Sequence, residues 1–216
     1  MIKRFLFSFL ALMVLSLPLT GCHSSVQAVP GGASPTRAVN VAKASQPRGA
    51  ESLAINTQLK LPLADPRIEV RKAERKLLLF SNGKLVRTYH VGLGLSPAGD
   101  EVRSGDHRTP EGDFYIFTKN AKSAFYLSLG ISYPNLLHAK RGLRDGLISQ
   151  AQYDQIAAAN KQKKTPLQRT RLGGDIFIHG HGASSDWTWG CVALENEDIR
   201  ELYNAVEIGT PVTIKP

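Results

Sequence analysis

From Asp65 to the C terminus, the apolar residues of this chain come in short runs separated by turn-forming residues. That punctuation favours strands over long helices. Ile68-Glu69-Val70-Arg71 alternates, and the run Lys76 to Phe80 is followed by Ser81-Asn82-Gly83-Lys84. Asn-Gly between two apolar runs marks a tight hairpin. Val86 to Val91 continues the second strand until Gly92-Leu93-Gly94 breaks it. Further strands are expected at Asp113 to Phe117, Phe125 to Leu129, Asp175 to Ile178 and Pro211 to Ile214. Two helices stand out. One covers about 149–160, where Ser149-x-x-Gln152 has the form of a capping box. The other covers about 196–206, with Asn196 as its cap and acids in its first turn. The expected fold is a β-rich α+β domain, sandwich or barrel-like, with one or two short helices. Periodicity does not fix the strand order, and no internal repeat is present.

The first residues serve another purpose. Met1-Ile2-Lys3-Arg4 precedes an apolar stretch from Phe5 to Leu19, shorter than the ~20 residues a permanent membrane span requires. It closes in Leu19-Thr20-Gly21-Cys22, which resembles a bacterial lipobox. The resemblance implies a lipoprotein signal peptide at 1–21, lipidation of Cys22 and anchoring by the acyl chains. His23 is not the aspartate that retains lipoproteins in the inner membrane. The expected location is therefore the periplasmic face of the outer membrane of a Gram-negative cell. Residues 22–64 are poor in large apolar side chains and form the lipidated cysteine and a flexible linker. The catalytic domain is expected at 65–216. The formal charge of +9 falls to +7 once Lys3 and Arg4 leave with the signal. A basic exported chain without a nucleic-acid motif points to the cell wall or anionic head groups as its surroundings.

With Cys22 committed to the anchor, Cys191 has no disulfide partner in its own chain. An unpaired thiol in an oxidising compartment is a liability unless it does chemistry. It lies twelve residues after His179, which follows an expected buried strand. A loop of that length can bring thiol and imidazole together, so that the histidine takes the thiol proton or stabilises the thiolate. Backbone N–H groups around Gly190 and Cys191 are candidates for an oxyanion hole. A structural cysteine beside a loop histidine is the competing reading. His181 is a second candidate base. His179 and His181 with Cys191, Asp106 and His107 do not complete a zinc-ligand spacing, and neither a metal nor another cofactor is expected.

The stretch His179-Gly180 … Asp186-Trp187-Thr188-Trp189-Gly190-Cys191-Val192-Ala193 resembles the L,D-transpeptidase catalytic domain of the YkuD type. Gly105-Asp106-His107-Arg108-Thr109-Pro110-Glu111-Gly112, Ile131-Ser132-Tyr133-Pro134-Asn135 and Gly209-Thr210-Pro211-Val212-Thr213-Ile214 resemble further segments of that family, in the same order. The likeness covers roughly 67–216. It implies a YkuD-like β-sandwich and a cysteine acyltransferase acting on peptidoglycan stem peptides. Cys191 would attack the tetrapeptide carbonyl, release D-alanine and hold the donor as a thioester. An acceptor amine would resolve it, giving a 3–3 cross-link or attaching a wall-bound lipoprotein. Resolution by water, making a murein peptidase or amidase, is the alternative. A non-catalytic wall-binding lipoprotein is a third reading, against which intact Cys191 and His179 weigh. The resemblance implies His179 as general base and Gly180 as the residue whose backbone carbonyl orients it.

Two departures bear on the acceptor. The histidine that often stands next to the nucleophile is replaced by Trp189, and Ala193 stands where an arginine or asparagine is common. Tyr133, Trp189, Arg108 and His181 are the candidate substrate-binding residues. Tyr133 borders the expected donor pocket or belongs to the core, and Trp187 and Trp189 line the site or pack beneath the loop. Residues 136–170, basic and polar with one short helix, form an insertion that could act as a lid.

Overall fold

The computed structural model describes residues 58–216. The expected signal peptide, the Cys22 lipidation site and the linker as far as residue 57 lie outside the described residues.

Eleven elements follow one another in the described residues. They are β1 (Pro66–Arg71), β2 (Lys76–Ser81), β3 (Lys84–His90), β4 (Gly112–Ser123), β5 (Tyr126–Ile131), α1 (Leu136–Arg144), α2 (Gln150–Lys161), β6 (Phe177–His179), β7 (Val192–Ala193), α3 (Asn196–Ala205) and β8 (Pro211–Lys215). The β2–β3 hairpin turns at Asn82 and Gly83, both with positive φ (48° and 71°), the conformation for which this dipeptide is favoured. The strands form one sheet in the order β3-β2-β1-β8-β4-β5-β6-β7. The C-terminal strand β8 is its hub. It pairs parallel to β1 and antiparallel to β4, tying the first hairpin to the half that carries the candidate site. Gly92, just past β3, bridges Ala193 of β7, so the two ends of the strand order approach each other and the sheet curls. The expected β-rich α+β architecture holds, with a curled sheet supplying both faces.

Period-two patterning explains the core inside this curl. Ile68 and Val70, Leu77 and Leu79, and Val212 and Ile214 all face inward and are buried. They pack with Ile116, Leu129, Ile131, Ile178 and Val192, and with Ile199 and Leu202 of α3. Ahead of β1, Leu59 and Leu63 pack on the same cluster, and Ala64 O accepts from Asn82 N and Ser81 Oγ.

Among the described residues three helices are present, one more than expected. In α2 the capping box is formed: Ser149 Oγ accepts from Gln152 N, and Gln152 Oε1 accepts from Ser149 N. The additional helix α1 is capped by Asn135, whose side chain accepts from Leu137 N and His138 N. Together α1 and α2 bury Ala139, Ile148, Ile156 and Leu172 in a second, smaller core. The insertion is fastened to the sheet. Tyr115 Oη donates to Lys164 O, Asn160 Nδ2 to Pro134 O and Arg141 to Asp100. In α3 the cap differs from expectation. Glu195 holds the N-cap position, but its carboxylate accepts from Ala183 N instead of capping the helix, and the Asn196 carboxamide accepts from His181 N.

Candidate active site

The parallel pairing of β6 with β7 assembles the site. Ile178 is opposite Val192 and His179 opposite Ala193, so Cys191 enters β7 directly beside β6. Ile178 points into the core, while Phe177 and His179 project from the other face of the strand. The Cys191 thiol lies along the β6 backbone. Phe177 N donates to Sγ at 3.4 Å, and the thiol faces Asp175 O at 3.7 Å. Among the described residues no hydrogen bond joins Sγ to the His179 ring. His179 ends β6 and Cys191 immediately precedes β7, and the thiol rests on backbone.

His179 is held by its immediate neighbours. Its Nδ1 is 2.7 Å from Gly180 O, a carbonyl that only accepts, so Nδ1 carries the proton and Nε2 presents a lone pair. Gly180 is locked in turn: its N–H donates to Phe125 O, and a Cβ there would stand 2.5 Å from Asn196 Oδ1 and 2.9 Å from Phe125 O. Phe125 stacks on the imidazole with ring centres 4.6 Å apart, and Trp187 meets it edge-on at 5.5 Å. Under this cover His179 is buried, and desolvation holds its pKa below the ordinary value. Burial also pushes the Cys191 thiol up to about 11, further raised by Glu101 and Asp175 and partly offset by the Phe177 N–H. The resting pair is therefore a neutral thiol and a neutral imidazole. Such a pair is suited to general-base transfer from thiol to imidazole and not to a preformed ion pair.

The segment before Cys191 is shaped by Thr188. Its hydroxyl donates to Cys191 O at 2.7 Å and accepts from Gly190 N at 3.2 Å. This corrects one expectation. The Gly190 N–H is consumed by Thr188 and is not free for an oxyanion. The Cys191 N–H, which has no hydrogen-bond partner among the described residues, is the donor left for that role. What Gly190 supplies is conformation. It has φ of +125°, and a Cβ there would lie 2.8 Å from Arg108 O and 3.0 Å from Ile176 Cδ1.

The expected substrate-binding residues separate. Tyr133 is fully buried and donates to Leu172 O, so it cannot touch a ligand and belongs to the core. Trp189 is 79% exposed and stacks on His107 with ring centres 5.7 Å apart. His181 is exposed at positive φ (81°), past the strand that holds His179, and its ring stands nearly perpendicular to that of Phe125 with centres 5.7 Å apart. The Arg108 guanidinium lies beside Gly99, and its backbone carbonyl abuts Gly190. Trp187 donates to Gly182 O and packs against the imidazole, and Asp186 receives Arg75 and Leu93 N. Phe125 carries no sequence signal for its place. It reads as the start of a strand and is found in the turn before β5, covering the His179 ring.

Phe125→Ala should let water reach the imidazole. The His179 pKa is expected to rise toward the ordinary 6.5, shifting the acid limb of any His179-dependent reaction to higher pH. An NMR titration of the ring protons checks this, and an unchanged midpoint would mean that Phe125 does not set the solvation of the base.

The family model for the YkuD L,D-transpeptidase catalytic domain matches residues 65–214. Among solved structures, the helical cell shape determining protein Pgp2 from Campylobacter jejuni is similar over 71% of this chain and 47% of its own, at 23% identity and a TM-score of 0.47. Bd1075 from Bdellovibrio bacteriovorus is similar over 75% and 52%, at 24% identity and a TM-score of 0.45. An L,D-transpeptidase from Xylanimonas cellulosilytica is similar over 72% and 63%, at 18% identity and a TM-score of 0.42. This chain thus spans between 47% and 63% of the length of those three. No curated protein matches.

Proposed function

Because this chain belongs to the L,D-transpeptidase catalytic domain family, we propose that it is a peptidoglycan acyltransferase with Cys191 as nucleophile and His179 as its base. The observation that carries this reading is the β6–β7 pairing, which sets an unpaired thiol beside a strand whose last residue is a buried, neutral imidazole with Nε2 unprotonated. As Sγ attacks the stem-peptide carbonyl, its proton passes to His179 Nε2. The Cys191 N–H stands where negative charge develops on the carbonyl oxygen. The tetrahedral intermediate collapses with loss of D-alanine, whose departing amine takes the proton back from His179. A thioester remains, and an acceptor amine attacks it with His179 again serving as base. The Trp189–His107 stack forms an exposed wall beside the nucleophile on which the substrate can lie. The lipobox-like segment ending in Cys22 supports placing this chemistry on the periplasmic face of a membrane, within reach of the wall.

Purified protein incubated with disaccharide-tetrapeptides should release D-alanine and form 3–3 cross-linked dimers, and Cys191→Ala should form none. Tripeptide without dimer would assign the second half-reaction to water. D-alanine release by the alanine variant would remove Cys191 from the mechanism.

A further inference from the structure

Glu101 is a buried acid without a partner, next to the nucleophile segment. It is only 4% exposed, and its Oε2 has no hydrogen bond. A Cβ on Gly190 would stand 3.6 Å from Oε2, and one on Gly173 would stand 2.4 Å from Oε1. The carboxyl therefore fills the space between the residue preceding Cys191 and the loop that leads into β6. The Tyr133 ring lines the same space, 3.4 Å from the Cβ that Gly173 lacks.

The charged groups around it do not neutralise it. Arg141 of α1 is the nearest cation, but it donates to Asp100 Oδ2 at 2.7 Å and to the Glu101 backbone carbonyl at 2.5 Å, and its Nε has no partner. Asp100 is fixed as an anion by Arg141, His138 and Glu111 N. Asp106 accepts from Val102 N, Arg103 N and Arg108 N. The Glu101 carboxyl, in the same loop, receives no donor among the described residues. Burying a carboxylate without donors is costly, and two anions on the same loop add to the cost.

We propose that Glu101 is a positioning residue of the nucleophile segment that acts as an uncharged carboxylic acid: it packs between Gly173 and Gly190, and if it ionises, the charge left behind Cys191 holds the thiol protonated. Its titration fits this geometry. Burial, then Asp106 and Asp100, push the carboxyl up to about 9 against the pull of Arg141. A charged Glu101 in turn raises the Cys191 thiol. Nucleophile formation is thereby opposed at the alkaline pH that otherwise favours a thiolate. The importance for acyl transfer rests on the function proposed above, but the coupling between the two side chains does not, so it is read out by alkylation without any peptidoglycan substrate.

The test is the rate of iodoacetamide alkylation of Cys191 in the full chain, followed by peptide mass mapping so that Cys22 is counted separately. Wild type and Glu101→Gln are expected to react alike near pH 7. By pH 10 the glutamine variant should be faster by about 3- to 10-fold, the reactivity equivalent of a half to one pKa unit. Identical profiles from pH 7 to 10 would overturn the proposal. So would a neutral-pH loss of reactivity in Glu101→Gln with an unchanged melting temperature. Should the variant fail to fold, wild type alone decides. Alkylation reports the free thiolate and not the base-assisted attack on a carbonyl, so its rate should climb about tenfold per pH unit up to about pH 8.5 and less steeply beyond it, and an unbroken climb to pH 10 would overturn the proposal.

Discussion

His179→Ala is expected to lower the rate of Cys191 acylation at pH 7 by about 10²- to 10⁴-fold, the range that a positioned general base supplies. The size follows from the resting state of the pair. Burial puts the thiol at about 11, so at neutral pH a thiolate unaided by a base is scarce. In wild type, the neutral imidazole accepts the proton during attack, so the rate should be flat above the depressed pKa of His179. In the alanine variant only spontaneous ionisation remains, and its rate should climb about tenfold per pH unit between pH 7 and 9. Single-turnover acylation measured across pH separates the two behaviours. Parallel profiles for both proteins would mean that His179 is structural and that another group takes the proton. His181 is the one to substitute next, since it is exposed and near the same aromatic cover.

Gly190→Ala should be nearly as damaging, for a different reason. The residue sits at φ +125°, where an L side chain is strained by about 1–3 kcal/mol. The new methyl group would also meet Arg108 O at 2.8 Å and Ile176 Cδ1 at 3.0 Å. Neither is the free end of an exposed side chain. Together these effects should cost about 2–4 kcal/mol of stability, seen as a lower melting temperature. Whatever relaxation relieves the contact moves Cys191, the next residue, against its carbonyl target. A displacement near 1 Å costs about 10²-fold in rate. The expected result is a folded but less stable protein whose acylation falls by at least that factor. Wild-type melting and rate together would show that this backbone conformation is dispensable. The comparison also separates the steric role of Gly190 from that of an oxyanion donor, since alanine keeps the N–H and its bond partner Thr188.

The signals that were legible in the sequence are those in which local chemistry decides the conformation. Asn82-Gly83 adopts the two positive φ angles its residue types favour, and Ser149 with Gln152 closes its reciprocal cap. His179 and Cys191 stand out as a histidine at the end of a buried strand and a thiol without a disulfide partner, and the pairing of β6 with β7 sets Cys191 beside β6. Elements decided at long range left less trace. Helix α1 is patterned in reverse for a surface helix. Leu136 and Leu137 are exposed, and its buried positions are His138, Ala139 and Gly142. The polar side chain turned inward is satisfied by Asn135 and Asp100, a pairing that hydrophobic periodicity cannot announce. Tyr133 shows the opposite difficulty. A tyrosine in a motif next to a site is equally compatible with a rim and a core, and the backbone carbonyl of Leu172, 39 residues away, decides for the core. Asn196 has the right type for a helix cap, but its carboxamide is taken by His181 N, because the turn after His179 needs an acceptor there. Glu101 is one acid among several in a loop, and only the packing of two distant glycine segments buries it.

In the proposed reaction Cys191 carries the acyl group. Protein mixed with a disaccharide-tetrapeptide, quenched in acid within milliseconds to seconds and examined by intact and peptide mass tests it most directly. The expected product is an adduct equal to the donor minus D-alanine on the Cys191 peptide of wild type, reduced in His179→Ala and absent from Cys191→Ala. D-alanine released with no adduct at any time, or an adduct on another residue, would contradict it.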